Sequence, residues 1–278
     1  GSNEALGALT PSAGAGTVKI SGTVAGTNSL TFSSLGTVAA GTGLNFVVPA
    51  SPGTNKVTVT GAANTNGIVN AHLYYNGIDF ASSTAGVMGA ATYTDQAAAL
   101  ASSLTTPTNV TGSFSNGAVT VNAGLKFGSA QTLTMSGLLT INNGANTAGG
   151  ILVSGGNSST INGTGVSTAG TGDLVIRTDA AGDTLNLNAP ITSTSTGGFT
   201  KNGLGTLIIG GANAQAGTNT INEGTVNLIT GGVIGATNAS RVLGKRLGLV
   251  TFALDLLKGT LAVLLPTLIA KDAFSPLA

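Results

Sequence analysis

The sequence predicts an all-β chain: a right-handed parallel β-helix (β-solenoid) over residues 1–230, followed by a short helical C-terminal tail over 231–278. Three observations carry that expectation. Short runs of aliphatic and β-branched residues recur between clusters of Gly, Asn and Ser. In the second half the runs are mostly ten to fourteen residues apart, too close for crossover helices between strands. Charge is nearly absent: 7% of 278 residues, against roughly 25% in an ordinary globular domain.

The expected strands, in order, begin with TVKIS (17–21), SLTF (29–32), NFVV (45–48) and KVTVT (56–60). AVTVN (118–122), TLTM (132–135), LLTIN (138–142), GILVS (150–154) and DLVIR (173–177) follow. The series closes with TLNLN (184–188), TLIIG (206–210), TNTIN (218–222) and TVNLI (225–229). Period-two alternation is clear in TVKIS, KVTVT, AVTVN, TLNLN and TVNLI. A β-sandwich shares this spacing, but two features favour the solenoid. Asn and Gly recur at strand ends (Asn142-Asn143-Gly144, Asn162-Gly163, Asn213, Asn222-Glu223-Gly224), where coil corners need left-handed backbone. Stacked coils also set like residues over like, so few charges means few repulsive ladders. At about 20 residues per coil, roughly ten rungs at ~4.8 Å would make a rod near 50 Å.

Residues 62–104 break the rhythm, with His72, all three tyrosines (Tyr74, Tyr75, Tyr93), Phe80 and an Ala-rich run. Here the sequence suggests a strand over Ile68–Asn76, a turn at Asn76-Gly77 and a protruding helix or loop over 94–103. The aromatics either plug a gap in a thin core or form a protruding contact surface; the core plug is the simpler reading.

Composition excludes several functions. A formal net charge of +1 offers no basic footprint, so no nucleic-acid partner is expected. The absence of cysteine removes thiolate catalysis, disulfides and cysteine metal sites, and a single histidine removes His-rich ones. Hydrophobic content of 41% and mean hydropathy of +0.38 argue against disorder. No catalytic residue, metal site or cofactor is expected. His72 has no Ser–Asp setting in the sequence around it and reads as structural. Asp173, Asp179 and Asp183 could be a Ca²⁺ loop but lack repeated ligand spacing, which favours a solvated turn. The same carboxylates on adjacent coils could act as a glycosidase pair, leaving a β-helical polysaccharide-active enzyme as a distant alternative. Asn109, Asn157 and Asn162 begin glycosylation sequons that Asn/Thr-rich turns also produce by chance.

Charge changes character near residue 230. Five cations (Lys19, Lys56, Lys126, Arg177, Lys201) precede it with seven anions; five (Arg241, Lys245, Arg246, Lys258, Lys271) follow with two.

Residues 197–228, GGFTKNGLGTLIIGGANAQAGTNTINEGTVNL, resemble the passenger-associated transport repeat of autotransporter-type surface proteins. The resemblance rests on Gly197, Gly198, Thr200, Lys201, Gly205, Thr206, Leu207, Gly211, Ala212, Asn213, Gly217, Thr218, Ile221, Asn222, Gly224 and Thr225. Phe199, Val226 and Ala214-Gln215 depart mildly from the pattern. More diffusely, it extends back to residue 1. It implies a parallel β-helix exported to the extracellular or outer-membrane surface of a Gram-negative-type bacterium. A structural or adhesive role goes with that location, with outer-membrane translocation machinery or surface glycans as partners.

The tail, GVIGATNASRVLGKRLGLVTFALDLLKGTLAVLLP, is similar to the membrane glycerol-3-phosphate acyltransferases that use acyl phosphate. Gly235, Ala236, Thr237, Asn238, Arg241, Gly244, Lys245, Arg246, Asp255, Lys258 and Gly259 match that family's second motif, while Val233 replaces its first Asn. The resemblance implies a phosphate-binding loop in which Gly235, Ala236 and Thr237 allow close backbone approach and Asn238 and Arg241 add donors and charge. The apolar tail helix is expected to contact membrane, which by itself would suggest the inner membrane. A fragment of such an acyltransferase is therefore the alternative function. Activity is not expected, because the family's other motifs and spanning helices are not found here. With two such signatures, a Gly-Ser start and no signal peptide, the chain is expected to be a fragment, fusion, artefact or designed sequence.

Overall fold

The computed structural model describes residues 1–21, 26–50, 54–102, 104–142, 148–168, 171–192, 197–215 and 217–229. In the tail it describes residues 253, 254, 256–258 and 260. The chain divides into two compact units, Gly1–Ile229 and Thr230–Ala278. The first is a parallel β-solenoid almost without helix, so the predicted fold class holds.

It is built as two stacks of coils rather than one rod. The first contains β1 (Asn3–Leu6), β2 (Gly14–Lys19), β3 (Thr27–Phe32), β4 (Thr42–Val47), β5 (Thr54–Val59) and β6 (Leu73–Tyr75). β1-β3-β5 and β2-β4-β6 form two parallel ladders. β7 (Asp79–Thr84) and β8 (Val87–Ala90) then pair antiparallel with β6, with each other and with β5. The predicted turn at Asn76-Gly77 joins β6 to β7, with φ of 50° and 77° as a tight hairpin requires. This double hairpin joins the two ladders into one eight-stranded sheet and ends parallel growth.

The second stack begins with β9 (Thr94–Gln96), β10 (Thr108–Val110), β11 (Phe114–Asn116), β12 (Val119–Asn122), β13 (Gly124–Phe127) and β14 (Thr132–Asn142). It continues through β15 (Gly149–Val153), β16 (Ser158–Thr168), β17 (Leu174–Thr178) and β18 (Thr184–Leu187). β19 (Phe199–Asn202), β20 (Thr206–Ile209), β21 (Thr220–Ile221) and β22 (Thr225–Leu228) complete it. Its longest ladder, β9-β10-β13-β15-β17-β19-β21, has seven strands rather than ten rungs. The coils consume more chain than expected: Leu125 pairs with Ile151 and Ile151 with Ile176, offsets of 26 and 25 residues.

Burial explains both the readable and the unreadable strands. In β18 and β20, Leu185, Leu187, Leu207 and Ile209 point into the stack while Thr184, Asn186, Thr206 and Ile208 face outward. Every residue of β15, β17 and β19 is buried, because one face lines the second stack's core and the other meets the first stack. Strands covered on both faces lose alternation, as GILVS and DLVIR do. At the joint, Phe80 lies so close to the second stack that a Cβ at Gly124 would stand 2.6 Å from its ring and one at Gly150 2.7 Å.

Several expectations are corrected. Residues 62–104 do not protrude: Tyr74 and Phe80 are fully buried, their rings stacked at 6.1 Å, so the core-plug reading describes them. The strand within Ile68–Asn76 shrinks to Leu73–Tyr75, and the expected helix or loop at 94–103 opens with β9, which joins the second stack's sheet. TLTM and LLTIN are one continuous strand, β14. Asn162-Gly163 is not a corner but an irregularity inside β16, where Gly163 has φ of 121° and the register with β14 shifts.

In the tail, Ala253, Leu254, Leu256, Leu257, Lys258 and Thr260 are helical and exposed. Among the described residues no helix is long and apolar enough to cross a membrane.

Candidate functional site

The densest chemistry of the solenoid lies where the two stacks meet. β17 and β19 present Asp173 (just before β17), Arg177, Thr200 and Asn202 to the first stack. The first stack answers with Gly41, Thr42, His72, Tyr74 and Gly77. His72 Nδ1 lies 2.8 Å from the Thr42 carbonyl oxygen and Nε2 3.0 Å from Asp173 Oδ1. The Thr200 hydroxyl donates to Asp173 Oδ2, and the Gly41 N–H reaches the same oxygen at 3.4 Å. Asn202 Nδ2 donates to the Thr42 carbonyl at 3.1 Å and to the Tyr74 hydroxyl at 3.3 Å. Asn222 Nδ2 bridges Asn202 Oδ1 at 2.8 Å and the Gly41 carbonyl at 2.9 Å. The Arg177 guanidinium stands 4.6 Å above the Tyr74 ring, pairs with Asp179 and donates to the Gly77 carbonyl at 3.0 Å. Further along, Lys126 Nζ is 2.5 Å from Asp79 Oδ1 and 4.8 Å above the Tyr93 ring.

This network is sealed: His72, Asp173, Thr200 and Asn202 are all buried. Burial by itself would raise the Asp173 carboxyl, but the hydrogen bond and charge of His72, with Thr200 and Gly41, hold it below the usual range. Burial pushes the Tyr74 and Tyr93 phenols well above theirs. His72 does have an acidic partner, Asp173, which lies 101 residues away in sequence. The expected solvated turn fails at Asp183, which is inaccessible. Its two oxygens accept three backbone N–H groups, from Gly156, Asn157 and Ala180, at 2.7–3.0 Å. Asp173 and Asp183 thus face no cleft where a glycosidic bond could lie. No group of His, Asp and Glu able to hold a metal ion occurs among the described residues.

Lys201 is the functional-looking residue whose position the sequence does not announce. Leu125, Ile151, Ile176 and Lys201 form one inward column, in which the fully buried lysine stem takes the place of an aliphatic side chain. Its Nζ donates to the carbonyls of Asn202 and Gly203, each at 2.7 Å, and Glu223 at 3.3 Å. Burial, and then the Arg177 charge, push it down to about 8, with Glu223 opposing.

The outer sheet of the second stack is different in kind. In register, Ser158, Thr184, Thr206 and Thr225 form one outward column; Thr132, Thr160, Asn186, Ile208 and Asn227 form the next. Neither column contains a charge. A depression of about 430 Å³ on the same sheet is lined by residues including Asn116, Thr120, Leu138 and Thr140, also uncharged. Two of the sequon amide nitrogens are engaged within the coils, Asn109 Nδ2 with Asp95 and Asn157 Nδ2 with the Ser154 carbonyl, while Asn162 accepts from Asn188 through Oδ1. Gly235, Ala236, Thr237, Asn238 and Arg241 of the phosphate-type loop lie outside the described residues, as does Asp255.

Comparison with known proteins finds similarity in the C-terminal part. The family model described as glycerol-3-phosphate acyltransferase matches residues 216–278, a range that begins within the last coil of the solenoid. The glycerol-3-phosphate acyltransferase of Streptococcus gordonii is 54% identical over 46 residues, 16% of this chain and 22% of that protein. Those of Streptococcus thermophilus and Streptococcus pneumoniae are 56% and 50% identical over the same length and shares. The chain therefore spans about a fifth, 22%, of the length of the curated relatives it matches. No solved structure matches it.

Proposed function

We propose that residues 1–229 act as a non-catalytic structural solenoid, exported to the cell surface, that meets neutral carbohydrate through its uncharged outer sheet. The observation that carries this reading is the pair of outward columns of Ser, Thr and Asn, interrupted in the second by Ile208, repeated strand after strand without a charge. Hydroxyls and carboxamides both donate and accept, so such a face complements sugar hydroxyls and has no preference for polyanions. The sealing of His72, Asp173 and Arg177 into the joint supports a non-catalytic role, and the transport-repeat resemblance of 197–228 supports export. The test is cosedimentation of the full chain with insoluble neutral polysaccharide. Retention is expected, and Thr160→Lys with Thr206→Lys should abolish it while leaving the far-ultraviolet circular dichroism unchanged. Failure to sediment, or sedimentation indifferent to the lysines, would remove the adhesive reading.

The similarity of 216–278 to glycerol-3-phosphate acyltransferases favours one other reading, that the tail derives from such an enzyme. In that reading Gly235, Ala236, Thr237, Asn238 and Arg241 would cradle a phosphate. Acyl transfer from acyl phosphate to glycerol 3-phosphate, assayed with the full chain in detergent, is expected to be absent; measurable turnover would promote the enzyme reading.

A further inference from the structure

The chain's one histidine stands between the two stacks with an acceptor at each ring nitrogen. The Thr42 carbonyl at Nδ1 has no proton to give, and neither does an ionised Asp173 at Nε2. A neutral imidazole carries a single N–H. Facing two acceptors, it would aim a bare lone pair at one of them inside a site that solvent barely reaches. Asp173 cannot turn away, because its second oxygen already accepts from Thr200 and Gly41. The pair therefore needs one proton between Nε2 and Oδ1 besides the one on Nδ1, whichever of the two atoms holds it.

We infer that this shared proton makes His72–Asp173 a pH-sensitive latch between the two stacks, closed while the pair holds the proton and weakened as rising pH returns it to solvent. His72 precedes β6, and Leu44 N–H on β4 donates to its carbonyl at 2.9 Å, so strain at the ring passes directly into the ladder of the first stack. Asp173 immediately precedes β17, and its carbonyl accepts from the Gly149 N–H at 3.2 Å on β15. Both halves of the latch are thus anchored in sheet.

The charges around the pair are themselves committed. Among the described residues near it, Arg177 is paired with Asp179, and Glu223 lies 4.0 Å from Arg177. The Tyr74 phenol is raised by burial, and Lys201, at about 8, points into the other side of β19. Between about pH 5 and 7.5, carboxylates, phenols and lysines do not ordinarily change charge and histidine does. The chain has one histidine, so variants of His72 and Asp173 separate this pair's contribution from those of Lys201 and the amino terminus.

The experiment labels the full chain with ¹⁵N in the imidazole and follows the ring nitrogens and the thermal midpoint across about pH 5 to 7.5. Both nitrogens should carry hydrogen, or share one strongly with Asp173, at the acid end. The midpoint should fall by several degrees toward the alkaline end, with faster amide exchange in β4 and β6. His72→Gln can donate to Asp173 but cannot titrate, and should flatten that profile. Asp173→Asn should remove or reverse the fall, since its amide donates to a neutral ring and so favours the unprotonated imidazole; it serves if the glutamine variant does not fold. A ring that is a neutral tautomer throughout, or a wild-type profile parallel to both variants, would overturn the latch.

Discussion

Gly150→Ala adds one methyl group at the joint, and its cost can be worked out from the geometry. The new Cβ would lie 2.7 Å from both Cε1 and Cζ of Phe80 and 3.2 Å from the Ala71 Cβ. Contacts under 3 Å are not tolerated, so either the ring or the strand must move. The Phe80 ring has little room: it is fully buried, stacked on Tyr74, and held on its other edge by Gly124. Gly150 is not in a left-handed conformation, so backbone strain adds nothing and the whole penalty is steric. Overpacking of this kind costs about 1–3 kcal/mol, offset by roughly 0.5 kcal/mol from the stiffer unfolded chain. For a unit of this size that is a fall of about 2–8 °C in the thermal midpoint. Circular dichroism of the full chain measures it, with Gly117→Ala as control, where a Cβ meets nothing within 4 Å. Phe80→Leu should cost stability alone yet relieve part of the Gly150→Ala penalty when combined, a coupling seen only if the two sites touch. A Gly150→Ala protein as stable as the wild type would mean that Phe80 does not pin the stacks together.

Lys201 gives a pH prediction of opposite sign to most. Its folded value of about 8 lies below its ordinary 10.5, so between those values the unfolded chain binds more protons and stability rises with pH. The rise should reach about 3 kcal/mol at most, and the raised phenols of Tyr74 and Tyr93 should reverse it above about pH 10. Lys201→Met should flatten the rise in urea unfolding followed from pH 7.5 to 10. Asp183→Asn turns an N–H₂ group toward backbone donors and should cost about 1–3 kcal/mol in the same assay. Calcium or a chelator should leave the wild-type midpoint unmoved, because the Asp183 oxygens are already spent on backbone N–H groups.

How much of this was readable in the sequence depends on which strands have one wet face. β5 and β18 alternate because one side packs inward and the other meets water or a rim, and they appear in the sequence at nearly their observed bounds. β13 and β19 do not, since GLKF and FTKN contain lysines, which ordinarily mark a surface. Half-buried Lys126 is paired with Asp79, 47 residues away, while buried Lys201 is satisfied by the carbonyls of the turn that follows it. The hairpin at Asn76-Gly77 was announced by its dipeptide, but not that it would end one stack and start another. The polar joint was invisible for a simpler reason. His72 and Asp173 are 101 residues apart, and no local pattern encodes a meeting at that range.

The joint also changes what the scarcity of charge means. Ladder repulsion explains why stacked coils avoid charge, but not where the remainder goes. Of the five cations and seven anions before Thr230, Asp79, Lys126, Asp173, Arg177, Asp179 and Glu223, half in all, belong to the joint between the stacks. There each is paired or hydrogen-bonded, so burial is tolerated, and mispairing of the two faces would leave a buried charge without its partner. That penalty acts on alignment more than on total stability: an apolar joint could slide by one rung, whereas this one has a single register that satisfies His72, Arg177 and Lys126 together. The same concentration leaves the outer Ser/Thr/Asn columns neutral, so one distribution of a dozen charges both fixes how the stacks meet and defines the face that remains free.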